Sequence, residues 1–407
     1  MTVTAISGAR VFDGEKSLGV TTVLIEGRRI TAVGCEAPSD ADLVDGSGAT
    51  LLPGLIDAHV HTDQQSLALA LRFGVTTELE MAGINTRDKR ADLTSDDTLA
   101  DVRSAGMAIT PPGGHPSELF PEGFEWPPPP AEGESSPLLP FATSPQEAAA
   151  RVPQLLTHGS DYIKFMIDNG SVEGHQGVPM LDQATLNAGV AEAKKYGVLT
   201  VAHALTIDTT SMALEAGIDG LVHVFVDQPH TDDIVARIKE AGVFVVPCIT
   251  VNASMMGVTG AALADDPRVA SRLDENWDRT LRSSFDRYPQ GDLQGVLNTV
   301  KALHDHGVDV MCGTDSALPV PFLGGLAHGA SLHQELQYLV QAGLTPAQAL
   351  RAATAVTARC FRLPDRGRIA EGLRADLLLV EGDPTTTISD TLRTRDVWRR
   401  GARLASA

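Results

Sequence analysis

The stretch from Leu51 to His61 constrains the fold of this chain more than any other part of the sequence. It reads LLPGLIDAHVH, an apolar run that ends in two histidines separated by one residue. A strand that is apolar on both faces is buried on both sides, as in a parallel sheet covered by helices. Because side chains alternate along a strand, His59 and His61 project to the same side. Two such imidazoles form a chelate for a transition ion such as zinc.

Beyond this strand the sequence alternates between strand and helix patterns, which indicates parallel βα units. A long helical region is predicted over 268–306. The remaining predicted strands are 74–77, 107–110, 162–167, 198–203, 220–224, 243–249 and 308–315. Eight parallel strands with intervening helices predict the α/β class and a (β/α)8 TIM-type barrel over residues 54–365.

The two chain ends have a different character, with short strands and turns and no helical period. Residues 1–53 and 366–407 resemble each other in this respect. We expect them to form one small β-sandwich domain beside the barrel.

A proline-rich stretch at residues 111–140 interrupts the alternation after the predicted third strand. A loop of this length inside a compact domain is usually functional or disordered. We expect it to form a lid or wall over the barrel mouth, with a subunit contact as the alternative.

Composition restricts the partners. The net charge is −20 and is spread along the chain, which disfavours nucleic acid and anionic membranes. No apolar run is long enough to span a bilayer, and no export signal is evident. The four cysteines have no metal-binding or disulfide spacing, which favours a reducing cytoplasm. We expect a small molecule as the partner and leave the formation of homo-oligomers open.

Six polar side chains interrupt or end the predicted barrel strands, where an unpaired polar group would be costly. They are His59, His61, Lys164, His203, His223 and Asp315. The carboxyl ends of barrel strands converge on one rim, where this architecture carries its chemistry. Convergence on a divalent metal, most simply Zn²⁺, accounts for the histidines and the aspartate together.

Lys164 is unusual in such a set because an ammonium repels a cation. Burial lowers the pKa of an amine, and the neutral amine can react with carbon dioxide to give a carbamate. We predict that carboxylated Lys164 bridges two metals, one held by His59, His61 and Asp315 and the other by His203 and His223. A hydroxide between the metals would be the nucleophile, and Asp315 would be the catalytic acid and base. If Lys164 is instead an ordinary ion-pairing lysine, one metal remains.

Several segments together resemble the amidohydrolase superfamily, and its prolidase and imidazolonepropionase-like branch most. They are PGLIDAHVH at 53–61, GVTT at 74–77, Ile163-Lys164, VAH at 201–203, Val222-His223, GTD at 313–315 and GRI at 367–369 with GLRAD at 372–376. The resemblance implies a distorted TIM barrel with a split β-sandwich, divalent metals that are usually zinc, and hydrolysis of amide or similar C–N bonds. Lys164 falls where binuclear members carry the carboxylated lysine.

The residues after His203 and His223 depart from the family pattern. Ala204-Leu205-Thr206 and Val224-Phe225 stand where relatives commonly carry histidine and glycine. Loop histidines near the predicted mouth are candidates for binding substrate: His115, His175, His230 and His328. His115 is the first choice because glycines precede it. Glu78 and Glu80 share one face of the second strand, where they could orient metal ligands or be solvated.

The sequence therefore predicts a metal-dependent hydrolase that cleaves a peptide-like amide, an N-acyl amino acid or a cyclic amide. One alternative is a mononuclear metal deaminase of a cyclic substrate. That reaction would favour a glutamate three residues after His203, and Thr206 stands there. The other alternative is a metal-free scaffold or interaction protein, although such proteins usually lose ligands and this chain keeps all six.

Overall fold

The computed structural model describes residues 3–83, 87–121 and 138–404. Both chain ends contribute to one eight-stranded sheet, in which β1 pairs along one edge with β2 and along the other with β4 and then β5. Its strands are β1 (Val3–Phe12), β2 (Ser17–Glu26), β3 (Arg29–Val33), β4 (Asp42–Asp45), β5 (Ala49–Pro53), β13 (Leu377–Glu381), β14 (Thr394–Arg399) and β15 (Ala402–Arg403). The strand order places β13 beside β5, so the C-terminal segment joins the N-terminal one.

The central strands are parallel and form two further sheets, one of three strands and one of four. They are β6 (Leu55–Val60), β7 (Val75–Glu80), β8 (Asp101–Ser104), β9 (Ile163–Met166), β10 (Thr200–His203), β11 (Gly220–Val222) and β12 (Phe244–Val246). Every residue of these seven strands except Arg103 is buried, because helices cover the outside of the strands and side chains fill the inside.

Backbone hydrogen bonds connect the two central sheets into a ring. On one side, Ile109 N donates to Lys164 O at 2.8 Å. On the other side, Met311 N donates to Val245 O at 2.9 Å and Asp315 N donates to His59 O at 2.7 Å. The segment 308–316 thus acts as the eighth strand between β12 and β6. This is the (β/α)8 architecture predicted from the sequence.

Helices surround the ring, and their ends follow sequence signals. Ser144 caps the helix that begins at Pro145, accepting a hydrogen bond from Glu147 N, as its Ser-Pro-x-Glu pattern predicts. The helices are α1 (Gln64–Arg72), α2 (Arg87–Ser95), α3 (Pro145–His158), α4 (Gln183–Lys195), α5 (Ile207–Ala216), α6 (Asp232–Glu240), α7 (Ile249–Met255), α8 (Ala261–Ala264), α9 (Pro267–Ala270), α10 (Glu275–Leu281), α11 (Leu293–Asp305), α12 (Ala330–Gln341), α13 (Pro346–Ala352) and α14 (Ala355–Cys360).

Two predicted elements are wrong, the third barrel strand in its position and the long helix in its continuity. The third barrel strand is β8 rather than 107–110, where Ile109 and Thr110 make only isolated bridges. Its sequence, Asp-Val-Arg-Ser, does not read as an apolar strand because Asp101 belongs to a buried ion cluster. The helical region predicted over 268–306 is divided into α9, α10 and α11, since Asp274 caps a new helix and Pro289 and Gly291 interrupt the next turn.

Within the described residues, no helix combines the length and the apolar character that crossing a bilayer requires.

Candidate metal centre

The six predicted metal ligands line a single cavity at the carboxyl ends of the barrel strands. The cavity has a volume of about 860 Å³ including its open mouth. The six side chains come from β6, β9, β10, the residue after β11 and the eighth segment of the ring. Parallel strands that close into a barrel bring their carboxyl ends to one rim. Residues up to 256 positions apart in sequence, His59 and Asp315, are therefore neighbours.

Asp315 lies at the centre of the histidines. Its Oδ1 is 3.2 Å from His59 Nε2 and 3.0 Å from His61 Nε2. Its Oδ2 is 3.7 Å from His223 Nε2. The glycine at 313 permits this approach, because a Cβ there would stand 2.9 Å from the backbone nitrogen of His59.

The other histidines are in ring contact with this group. The ring centroid of His223 is 4.9 Å from that of His59 and 4.7 Å from that of His203. His223 and Asp315 have φ angles of +99° and +65°, a backbone region that non-glycine residues seldom adopt. Backbone strain of this kind concentrates at functional sites, where the surrounding packing holds it.

Lys164 is fully buried, and its Nζ has no hydrogen-bond partner among the described residues. Burial lowers the pKa of this amine to about 8, against the opposing influence of Asp315. A substantial neutral fraction therefore exists near neutral pH, and a neutral amine is the form that reacts with carbon dioxide.

Burial also favours the neutral form of the histidines. It lowers the pKa of His59 and His203 well below the usual value and that of His223 to about 3. Burial alone would raise the pKa of Asp315, but His59, His61 and His223 outweigh it and hold that pKa well below its usual value. Neutral imidazole and ionised carboxylate are the protonation states that bind metals.

The hydrogen bond on the far side of the His61 imidazole shows that the group fits a cation. His61 Nδ1 is 2.8 Å from the carbonyl of Ala82 and must donate to it, which leaves a lone pair on Nε2. That lone pair faces an oxygen of Asp315 at 3.0 Å. Two facing lone pairs repel unless a proton or a cation lies between them. His59, His61 and Asp315 accordingly have ligand atoms within 4.8 Å of one another, a spacing that suits one ion.

His115, the preferred substrate candidate, lies in the cavity wall. Its ring stacks on that of His203 with centroids 4.3 Å apart. Its Nδ1 is 2.7 Å from Glu118 Oε1 and 2.8 Å from Glu173 Oε2. Burial would lower the pKa of His115, but Glu173 and Glu118 outweigh it and raise the pKa well above its usual value. The side chain is therefore a cation that two carboxyl groups already neutralise.

The other three histidine candidates are not among the described residues that line this cavity. His175 Nε2 faces Arg287 at 3.4 Å, and His230 Nδ1 faces Thr299 Oγ1 at 3.1 Å. His328 is fully buried and its Nδ1 is 2.7 Å from Glu78 Oε1. Of the glutamate pair on β7, Glu78 therefore bonds His328, while Glu80 accepts from Ser104 Oγ.

Three polar side chains at the site were not singled out by sequence reasoning. Asp168 Oδ2 is 3.3 Å from His203 Nε2, Cys248 Sγ is 3.3 Å from His59 Nδ1, and Glu173 lines the cavity beside His115. Each follows a barrel strand, which is the signal that could have identified them. Groups that bond the outer nitrogen of an imidazole set its tautomer and orientation.

Asp57 lies on the same strand as His59. Its carboxyl group accepts from Thr314 Oγ1 at 2.7 Å and from Thr314 N at 3.0 Å. It therefore ties β6, which carries His59 and is followed by His61, to the segment that carries Asp315.

The described part of the proline-rich stretch, residues 111–121, forms part of the cavity wall through His115, Pro116, Leu119 and Phe120. The predicted lid extends over residues 122–137, which lie outside the described residues.

Comparison with known proteins agrees with the resemblance seen in the motifs. The model of the Amidohydrolase family matches residues 50–402. An imidazolonepropionase of Anaeromyxobacter sp. (strain K) is 27% identical over 383 residues, covering 88% of this chain and 83% of that protein. An adenine deaminase of Lysinibacillus sphaericus (strain C3-41) is 33% identical over 84 residues. That match spans only 21% of this chain and 13% of the deaminase.

A solved structure of a Xaa-Pro dipeptidase with bound methionine in its active site superposes with a TM-score of 0.76 at 24% identity, covering 100% of both chains. A similarity at this identity establishes the fold. The family match extends from β5 through the whole barrel to the start of β15, and it includes all six predicted ligands. The chain therefore belongs to the amidohydrolase family.

Proposed function

We propose that this protein is a binuclear metal-dependent hydrolase that cleaves an amide C–N bond. The observation that carries the proposal is the convergence of His59, His61 and Asp315 with a buried, unpaired Lys164 on one cavity. A lysine buried without a partner among the described residues is costly as an ammonium. Conversion to a carbamate would replace this cation by an anion whose two oxygens could bind divalent ions, and those ions would offset its charge.

The proposed ligand sets follow from these neighbours. One divalent ion would be held by His59, His61 and Asp315, and the other would be held by His203 and His223. Carboxylated Lys164 would bind both ions. Zinc is the expected metal. Bound ions of this type polarise a carbonyl and lower the pKa of water. Asp168 and Cys248 would hold His203 and His59 in the ligating orientation through their outer nitrogens.

Asp315 would move the proton. Its low pKa keeps it ionised, so it can accept a proton from the attacking water and pass it to the leaving nitrogen. The amine then departs as a neutral molecule. His115, a cation in the cavity wall, would donate a hydrogen bond to the oxygen of the substrate carbonyl.

The deaminase alternative lacks a proton-transfer group at the position where it would be expected. Thr206 Oγ1 accepts from Thr209 N as the N-cap of α5. Because this hydroxyl caps the helix and no carboxyl group stands at this position, we favour hydrolysis of an amide over deamination.

The test is a metal analysis of the purified protein followed by a substrate screen. We expect two divalent ions per chain and the release of an amine from at least one class of amide in a screen that spans N-acyl amino acids and their esters, dipeptides and lactams. Ammonia release from cyclic amidines, with one metal per chain, would support the deaminase instead. No metal and no turnover would support a scaffold protein.

A further inference from the structure

We infer that the substrate of this site carries no free carboxylate and that its larger group is apolar. The inference rests on the proposed hydrolase function and identifies the class of amide that the cavity accepts.

The first observation is the composition of the cavity wall. Apart from the six proposed ligands, His115 and Glu173 are the only polar side chains among the described lining residues. The remaining side chains are apolar, and they include Leu119, Phe120, Val251, Met255, Phe285 and Leu323. Most of the surface of a ligand in this part of the cavity would therefore lie against hydrocarbon.

The second observation is the absence of a cation that could receive a carboxylate. No arginine lines the described cavity, and its one lysine is Lys164, which belongs to the proposed metal centre. His115 is already between Glu118 and Glu173. A substrate carboxylate in this wall would therefore be buried without a partner, which is strongly unfavourable.

The undescribed residues do not supply the missing cation. The proline-rich stretch 111–140 contains no lysine or arginine in its sequence, and neither does 84–86. Arg287 contacts the lining residue Phe285, with its guanidinium carbon 5.5 Å from the centroid of that ring, and its Nη1 is 3.4 Å from His175 Nε2. Arg287 is not among the lining residues.

The polar pair lies at the reacting end of the cavity rather than in its apolar part. His115 stacks on His203, one of the proposed ligands. This pair can therefore serve the scissile amide itself, while the apolar wall receives the rest of the molecule. An N-aryl or N-alkyl amide with an uncharged hydrocarbon group matches both regions.

The test compares matched amides that differ only in one terminal group. The para-nitroanilide of hexanoic acid and the mono-para-nitroanilide of adipic acid have the same scissile bond and length, but the second ends in a carboxylate. N-hexanoyl-phenylalanine methyl ester and N-hexanoyl-phenylalanine apply the same comparison to the leaving group. We expect kcat/KM of the metal-loaded protein to be at least about tenfold higher for the uncharged member of a pair, mainly through KM.

A lysine introduced into the wall should weaken the preference for the uncharged substrate. Met255→Lys conserves side-chain volume and adds a cation to the cavity lining. It should therefore reduce the difference in kcat/KM between the two anilides. Met256→Lys is the matched control, since Met256 is adjacent but outside the described lining, and it should keep the wild-type ratio.

The outcomes separate this inference from the proposed function. Equal or better turnover of the carboxylate-bearing member by the wild-type protein would overturn the inference while leaving the hydrolase function intact. Failure of the metal-loaded protein to cleave any C–N bond in the wider screen would overturn the proposed function itself.

Discussion

At the scale of single residues, the centre combines groups visible in the sequence with groups that only the fold brings near. His59 and His61 could be paired from their spacing, because i and i+2 share a face of a strand. Cys248 could not be paired with His59 from the sequence, since the two residues are 189 positions apart. Its Sγ reaches His59 Nδ1 only when the barrel closes. Its positive φ of 50° turns the chain at the end of β12 toward that imidazole.

Cys248→Ala should weaken metal binding about 10-fold to 100-fold, the usual effect of removing a group that orients a ligating imidazole. Titration of the metal-free protein with zinc would measure it. Cys248→Ser should recover part of the affinity by restoring an acceptor. Cys312→Ala is the matched control, because Cys312 is equally buried but its Sγ lies 4.0 Å from Leu332 O. Equal affinity in all variants would remove Cys248 from the proposed role.

Asp315→Asn should lower kcat/KM by about 1000-fold, because the amide neither accepts the proton nor holds the metal as a carboxylate does. Steady-state kinetics on an amide substrate would measure the change. Asp305→Asn, in an exposed pair with Lys301, should leave the rate as it is. Unaltered turnover in Asp315→Asn would exclude Asp315 from the mechanism.

At the scale of elements, the sequence predicted strands by their apolar runs and failed where polar residues are buried together. The strands ending in His203 and His223 are apolar up to the histidine and were located correctly. β8 was missed because Asp101 and Arg103 break the apolar pattern. Similarly, α12 carries the polar residues His333 and Glu335 on its buried side. The pattern of apolar residues alone therefore does not show how much of this helix is buried.

His333 couples α12 to its neighbours and should make stability depend on pH. Its Nε2 is 2.9 Å from Phe73 O and its Nδ1 is 2.9 Å from Thr391 Oγ1. Burial lowers its pKa from 6.5 to about 4. The unfolded chain therefore binds a proton more readily, and stability should fall as the pH falls below 6.5 toward 4.

The contribution of His333 between pH 7.5 and 5 should be about 2 kcal/mol of unfolding free energy. Urea unfolding of the metal-free protein and of His333→Gln at both pH values would measure it. Between pH 7.5 and pH 5, we expect the unfolding free energy of the variant to fall by about 2 kcal/mol less than that of the wild type. The same loss in both proteins would show that His333 does not titrate as described.

At the scale of the whole molecule, the barrel and the sheet of the chain ends are joined by a buried ion cluster. Asp101 of β8 is fully buried and pairs with Arg366 and with Arg374, whose Nη1 is 2.9 Å away. Burial alone would raise the pKa of Asp101, but the arginines outweigh it and hold that pKa well below its usual value. The sequence predicted that the two β-rich ends form one small domain beside the barrel. It contained no sign of this junction, because the partners lie more than 260 positions apart.

Asp101→Asn should lower the unfolding free energy by about 3–5 kcal/mol, because it removes the fully buried carboxylate that Arg366 and Arg374 share and leaves them only their pairs with Asp365 and Asp376. Thermal and urea unfolding would measure the loss. Asp309→Asn breaks an ion pair with Arg359 in which both side chains are about half exposed, and it should cost less than about 1 kcal/mol. Similar effects of the two substitutions would contradict the structural importance of the cluster.

The most direct test of the account is an anomalous difference map of crystals of the zinc-loaded protein, recorded at the zinc absorption edge. The account predicts two peaks in the cavity, one beside His59, His61 and Asp315 and the other beside His203 and His223. In the electron-density map of the same crystals, it also predicts extra density on Lys164 between the two peaks. A map without peaks among these residues, or with a single peak and an unmodified Lys164, would contradict the binuclear centre.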